Sequence, residues 1–120
     1  MIAKCKISGV HMQVGDDLRK YVTKKIGRLD RYVPRAVRGS LAVDVKLKEG
    51  KAKDKNERTC EVILALPHET IAIQETTINI FAAVDIAETK LRLALKKYKE
   101  LHGSPRLHQR MLARLKHRPA

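Results

Sequence analysis

Tryptophan is missing from this 120-residue chain, phenylalanine occurs once, and tyrosine occurs only at Tyr21, Tyr32 and Tyr98. A sheet that reads single-stranded bases by stacking needs rings on its strands. Here Phe81 and all three tyrosines fall in stretches whose periodicity predicts helix, so readout of the RRM or cold-shock kind is disfavoured. Cysteine is nearly absent too. Cys5 and Cys60 lie far apart in predicted strands, which favours two reduced, packed thiols over a disulfide framework or a metal site. No apolar run approaches the roughly 20 residues that span a bilayer, and the opening MIAKCKISG lacks the apolar core of a signal peptide. The expectation is a cytoplasmic protein without a membrane partner. His11, His68, His102, His108 and His117 show no ligand spacing, and there is no Gly-rich phosphate loop, nucleophile elbow or carboxylate pair on a common predicted face. With no foothold for a metal, a cofactor, a small-molecule substrate or catalysis, a binding module is the default.

Acidic residues are also in short supply, at 13 against 26 lysines and arginines, for a formal net charge of +13. An imbalance of that size points to a polyanionic partner, with nucleic acid ahead of an anionic membrane. The length suits one compact domain with a modest core. Residues 1–102 are expected to form an α/β sandwich domain. Residues 103–120 form a tail without a single acid, either a short helix opened by Ser104 and Pro105 after a C′ glycine at Gly103 or a disordered cationic end.

The strongest periodic signal runs from Asn79 to His102. Ile80, Val84, Ala87, Leu91, Ala94, Leu95 and Tyr98 recur at helical spacing and make one apolar stripe. At 100° per residue Lys90 and Lys97 fall on one shoulder of that stripe, while Arg92, Lys96 and Lys99 cluster on the other side of the outward face. Asn79 is a good N-cap, and Asp85 and Glu88 sit toward the positive end of the dipole. An earlier helix opens at Asp16-Asp17 and carries Leu18, Val22, Ile26, Leu29 and Val33 as its stripe, ending before Pro34. Opposite the stripe Lys20, Lys24, Arg28 and Arg31 form a basic ridge, with Lys25 beside the stripe. A merely solvated face would interleave more acids than Asp17 and Asp30.

Residues 2–10 predict a first strand. Leu41, Val43, Val45 and Leu47 alternate with polar residues in a second; Cys60, Val62, Leu64 and Leu66 form the inward set of a third; TIAIQE is a fourth after Pro67-His68-Glu69. The segment from Glu49 to Glu57, without an apolar side chain larger than Ala, predicts a mobile basic hairpin loop. The order is β-α-β-β-β-α, an α+β fold whose last three strands form an antiparallel meander. Both long helices pack on one face of the four-stranded sheet, so both basic ridges are expected on one side of the molecule.

The pattern Phe81-x-Ala83-Val84-Asp85 followed by Lys90-Leu91, Leu95 and Lys97 resembles the signature helix of the ribosome hibernation promoting factor family, also called protein Y or sigma-54 modulation proteins. Leu18-Arg19, Val22, Lys25, Ile26, Arg28-Leu29 and Arg31 extend the resemblance over roughly residues 3–100. Phe81 stands where the family commonly has Tyr, and Ala94 where a polar residue, often Gln, is common. The resemblance implies a short-form translation inhibitor that binds the small ribosomal subunit and its rRNA across the mRNA channel and the A and P tRNA sites, stabilising idle ribosomes, and that is a monomer away from them. It implies rRNA contacts at Lys25, Arg28, Arg31, Lys90 and Lys97; the charge pattern itself adds Lys20, Lys24, Arg92 and Lys96. Two other readings stay open: a general double-stranded RNA binder, and a protein-binding modulator of transcription, for which outward-leaning Ile86 and Leu93 are the sequence hint.

Overall fold

A strand with one apolar face needs cover on that face alone, and three of the four strands carry this alternation. The computed structural model describes residues 1–50 and 56–102. Its elements are β1 (Lys4–Val10), α1 (Asp16–Ile26), two 3-10 segments (Gly27–Tyr32 and Arg35–Ser40), β2 (Ala42–Glu49), β3 (Arg58–Leu66), β4 (Glu69–Thr77) and α2 (Ile80–His102). The sheet order is β1-β2-β3-β4. β1 pairs parallel with β2 in register Ile7 to Val45, with α1 in the crossover, and the β2-β3 and β3-β4 pairs are antiparallel. This is the expected β-α-β-β-β-α order.

Register puts Val43, Val45, Leu47, Cys60, Val62 and Leu64 on one face, all buried. They meet Leu18, Val22 and Ile26 of α1 and Ala83, Val84, Ala87, Leu91 and Leu95 of α2 in a single core. The alanines of α2 bring its backbone close to the sheet, where leucines would hold it off. α2 packs on β3 and β4, and α1 on β1 and α2. The opposite face carries Lys6, Asp44, Lys46 and Glu61, with Lys48 Nζ reaching diagonally to Glu61 at 2.9 Å. Tyr98, 2% exposed, donates its hydroxyl to the Pro67 carbonyl at 2.8 Å. That bond satisfies the one polar atom of a buried ring and ties α2 to the β3-β4 hairpin.

Two boundaries differ from the sequence expectation, for one reason. Strand β1 begins at Lys4, because Ile2 is buried and its N–H donates to the Gly27 carbonyl at 2.8 Å. The first helix, expected to run to Val33, tightens into 3-10 geometry at that same glycine. The incoming strap uses the carbonyl, and a Cβ on Gly27 would stand 3.0 Å from the Met1 Cε. Beyond the change Leu29 and Val33 remain buried. The expected loop falls largely on residues 51–55 and the expected tail on residues 103–120, both outside the described residues. At the other helix the N-cap is as anticipated, with Asn79 Oδ1 accepting from the Phe81 N–H at 2.9 Å.

Candidate nucleic-acid interface

Because α1 and α2 lie side by side on the sheet, their facing flanks leave a groove whose walls come from different parts of the chain. Lys24 and Lys25 of α1, Arg28, Leu29 and Arg31 of the following 3-10 segment, and Glu88 and Arg92 of α2 line it, around a volume of about 220 Å³. The tightened segment helps. In 3-10 geometry residues three apart eclipse, so Arg28 and Arg31 stay on the groove side after the α-helix has ended. Arg31 lies over the Tyr32 ring, 5.0 Å from guanidinium carbon to centroid. Arg38 donates to the carbonyls of Val33 and Arg31 at 3.3 and 3.4 Å, bracing the segment that presents both arginines.

Five cations thus face one lining carboxylate, Glu88, which pairs with Arg92 at 3.8 Å one turn away. Lys25 Nζ lies 3.7 Å from Asp85 Oδ1. Both contacts are long and their cations are more than a third exposed, so they are weak and steer the side chains without withdrawing them from a stronger anion. Crowded cations at this spacing favour a ligand that carries charge at regular intervals, such as a phosphate backbone, and shape decides which duplex or loop fits.

At the Lys25 end the groove meets an aromatic pair. Tyr21 and Phe81, 60 positions apart in sequence, pack edge to face with centroids 5.1 Å apart and planes at 71°. Lys25 Nζ sits 5.7 Å from the Tyr21 centroid. The Tyr21 hydroxyl donates to Asp85. That bond, followed by burial and then by the negative charges of Asp85 and Glu88, pushes the phenol up to about 12.

Of the nine cations singled out in the sequence, Lys24, Lys25, Arg28, Arg31 and Arg92 converge here. Lys20 is exposed one turn before Lys24, and Lys96 one turn after Arg92. Lys90 does not belong to the groove. It extends across α2 to Glu75 of β4 and forms an ion pair there, and Lys97, exposed and two turns on, follows the same flank. The two shoulders that the helical spacing gives α2 thus face different neighbours: Arg92 lines the groove and Lys90 the β4 flank. Sequence reasoning missed Tyr21, Phe81 and the carboxylates between them. The available signal was spacing, Tyr21 one turn before Lys25 and Phe81 one turn before Asp85.

Among the described residues no group of three or more His, Cys, Asp or Glu is placed to hold a metal ion, and no helix is long and apolar enough to cross a membrane. Cys5 and Cys60 are free thiols; burial, and for Cys60 also the charge of Glu75, pushes both up, Cys60 to about 12.

Fold and site together define a two-layer α+β domain with a cationic groove between its helices. The family model described as Sigma 54 modulation protein / S30EA ribosomal protein matches residues 5–102, and the chain belongs to that family. A protein named ribosome hibernation promotion factor from Lactococcus lactis subsp. cremoris is 31% identical over 105 residues, covering 86% of this chain and 54% of that protein. One of the same name from Staphylococcus aureus is 31% identical over 97 residues, covering 78% and 47%. The chain spans about half the length of these relatives. Among solved structures, the N-terminal domain of Thermus thermophilus Protein Y is similar with a TM-score of 0.66 at 28% identity, covering 78% of this chain and 94% of that one. A ribosomal subunit interface protein from Coxiella burnetii shares the fold, with a TM-score of 0.65 at 24% identity over 80% of this chain and 97% of its own.

Proposed function

We propose that this protein is a ribosome-associated translation inhibitor of the hibernation type, acting in the cytoplasm by binding and without catalysis. Its ligand is the small ribosomal subunit, held through rRNA phosphates across the mRNA channel and the A and P tRNA sites, so that an idle ribosome is stabilised. The observation that carries this reading is the convergence of Lys24, Lys25, Arg28, Arg31 and Arg92 from three elements onto one groove, in a chain whose relatives bear ribosome hibernation names. Lys20 and Lys96 extend the contact along the two helix axes. Lys90 and Lys97 serve as a secondary contact on the β4 flank, reached once Glu75 releases Lys90 to a phosphate. Residues 1–102 are the binding domain and 103–120 a basic tail.

Sucrose-gradient sedimentation with separated subunits, in the presence of excess random duplex RNA, tests the proposal. The protein should travel with the small subunit despite the competitor. If it leaves with the competitor, general double-stranded RNA binding is the better description, a reading that the sequence-blind groove accommodates. A protein that stays at the top of the gradient refutes both.

A further inference from the structure

We infer that Phe81, backed edge to face by Tyr21, is a stacking platform for one unpaired nucleobase of the RNA whose phosphates occupy the adjoining groove. The inference rests on the groove's being an RNA site and adds a contact to it that charge alone does not supply.

The chain has four aromatic side chains, and their uses differ. Tyr98 fills the core at 2% exposure, and Tyr32 lies under Arg31. Phe81 is 39% exposed at the start of α2, where a leucine would close the same packing against Tyr21. What a phenyl ring adds at such a place is a flat π surface, and every base has a complementary face. The surface is also held ready. Edge-to-face packing at 71° fixes Phe81 against Tyr21, and Tyr21 is anchored through its hydroxyl to Asp85, so little side-chain freedom remains to be lost on binding. Lys25 lines the groove and also lies 5.7 Å from the Tyr21 centroid. A backbone phosphate on Lys25 therefore brings its own base to the rings. A protein ligand would need a wider apolar surface, whereas this platform is one pair of rings beside five cations.

The absence of tryptophan from the chain gives the test a clean probe. The intact protein is titrated with a single-stranded, unpaired oligoadenylate and with a fully abasic strand of equal length and charge, which removes any need to know the register. Wild type should prefer the base-bearing strand roughly 5- to 100-fold, the range for one stacked base. Phe81→Leu should lose that preference while keeping its affinity for the abasic strand and its salt dependence, with unfolding monitored to show the fold intact. Phe81→Trp should keep the preference, and its sole indole emission should be quenched by the adenine strand and not by the abasic one. Equal binding of the two strands by wild type, or an unquenched indole in the bound state, overturns the platform and leaves the groove standing. If wild type binds neither strand nor small subunits at low salt, the RNA reading of the groove fails and the platform with it. Should wild type bind both strands alike while Phe81→Asp abolishes subunit binding, the ring is a protein contact and the inference is wrong.

Discussion

Arg92 and Lys90 stand two residues apart on one helix, both charged and both at least partly exposed, yet they do different things. Arg92 shares a groove with four cations from α1 and the 3-10 segment after it, and is lightly held by Glu88. Lys90 is tied in a close ion pair to Glu75 of β4, a carboxylate of another element. A cation count along the sequence treats the two alike. Charge becomes a site where separate elements aim it at one space; held singly and closely by one carboxylate of a neighbouring strand it belongs to the fold.

The harshest challenge to this contrast removes what supports both flanks. Leu95 is fully buried beneath α2, and Leu95→Ala should cost about 2–5 kcal/mol of unfolding free energy, read by denaturant titration, with groove and β4 flank failing together. Next comes the groove alone. Arg28→Glu with Arg92→Glu should weaken small-subunit binding on the order of 100-fold and lower the slope of log affinity against log salt by about 1 for each phosphate no longer neutralised. Lys90→Gln with Lys97→Gln should weaken it far less, and equal weakening by the two pairs would erase the distinction. A smaller effect separates stability from binding: Lys90→Gln leaves Glu75 without its cation and should cost about 0.5–1 kcal/mol of stability, whereas Arg28→Gln should leave stability nearly unchanged.

The finest test concerns protons. In the folded protein the Tyr21 phenol titrates at about 12, above its ordinary 10, because the neutral form donates to Asp85. The stability contributed by that bond is whole below pH 10 and is lost as pH rises through 12. Ultraviolet titration of Tyr21→Phe should lack this high-pH component, and the pH dependence of unfolding at the alkaline end should flatten.

Much of this was legible in the chain because periodicity is a local property. Alternation in Val43, Val45 and Leu47 and helical spacing in Val84, Leu91 and Leu95 identify faces without any partner, and two parallel runs of cations on α2 follow from 100° per residue. The rest depends on long-range meetings. Gly27 looks like any helical glycine until the Ile2 N–H arrives at its carbonyl. Lys90 looks available until β4 brings Glu75 beneath it. Tyr21 and Phe81 are ordinary members of two helices until the sheet sets those helices side by side. Each of these is a meeting of distant positions, and no window of neighbouring residues contains it.

The groove's second wall is α2, the last of the described elements, and that order has a consequence during synthesis. A nascent chain that has exposed only α1 presents a single basic ridge, because Arg92 and the Phe81 ring have yet to leave the exit tunnel. The complete recognition surface therefore exists only after nearly all of the domain has been made.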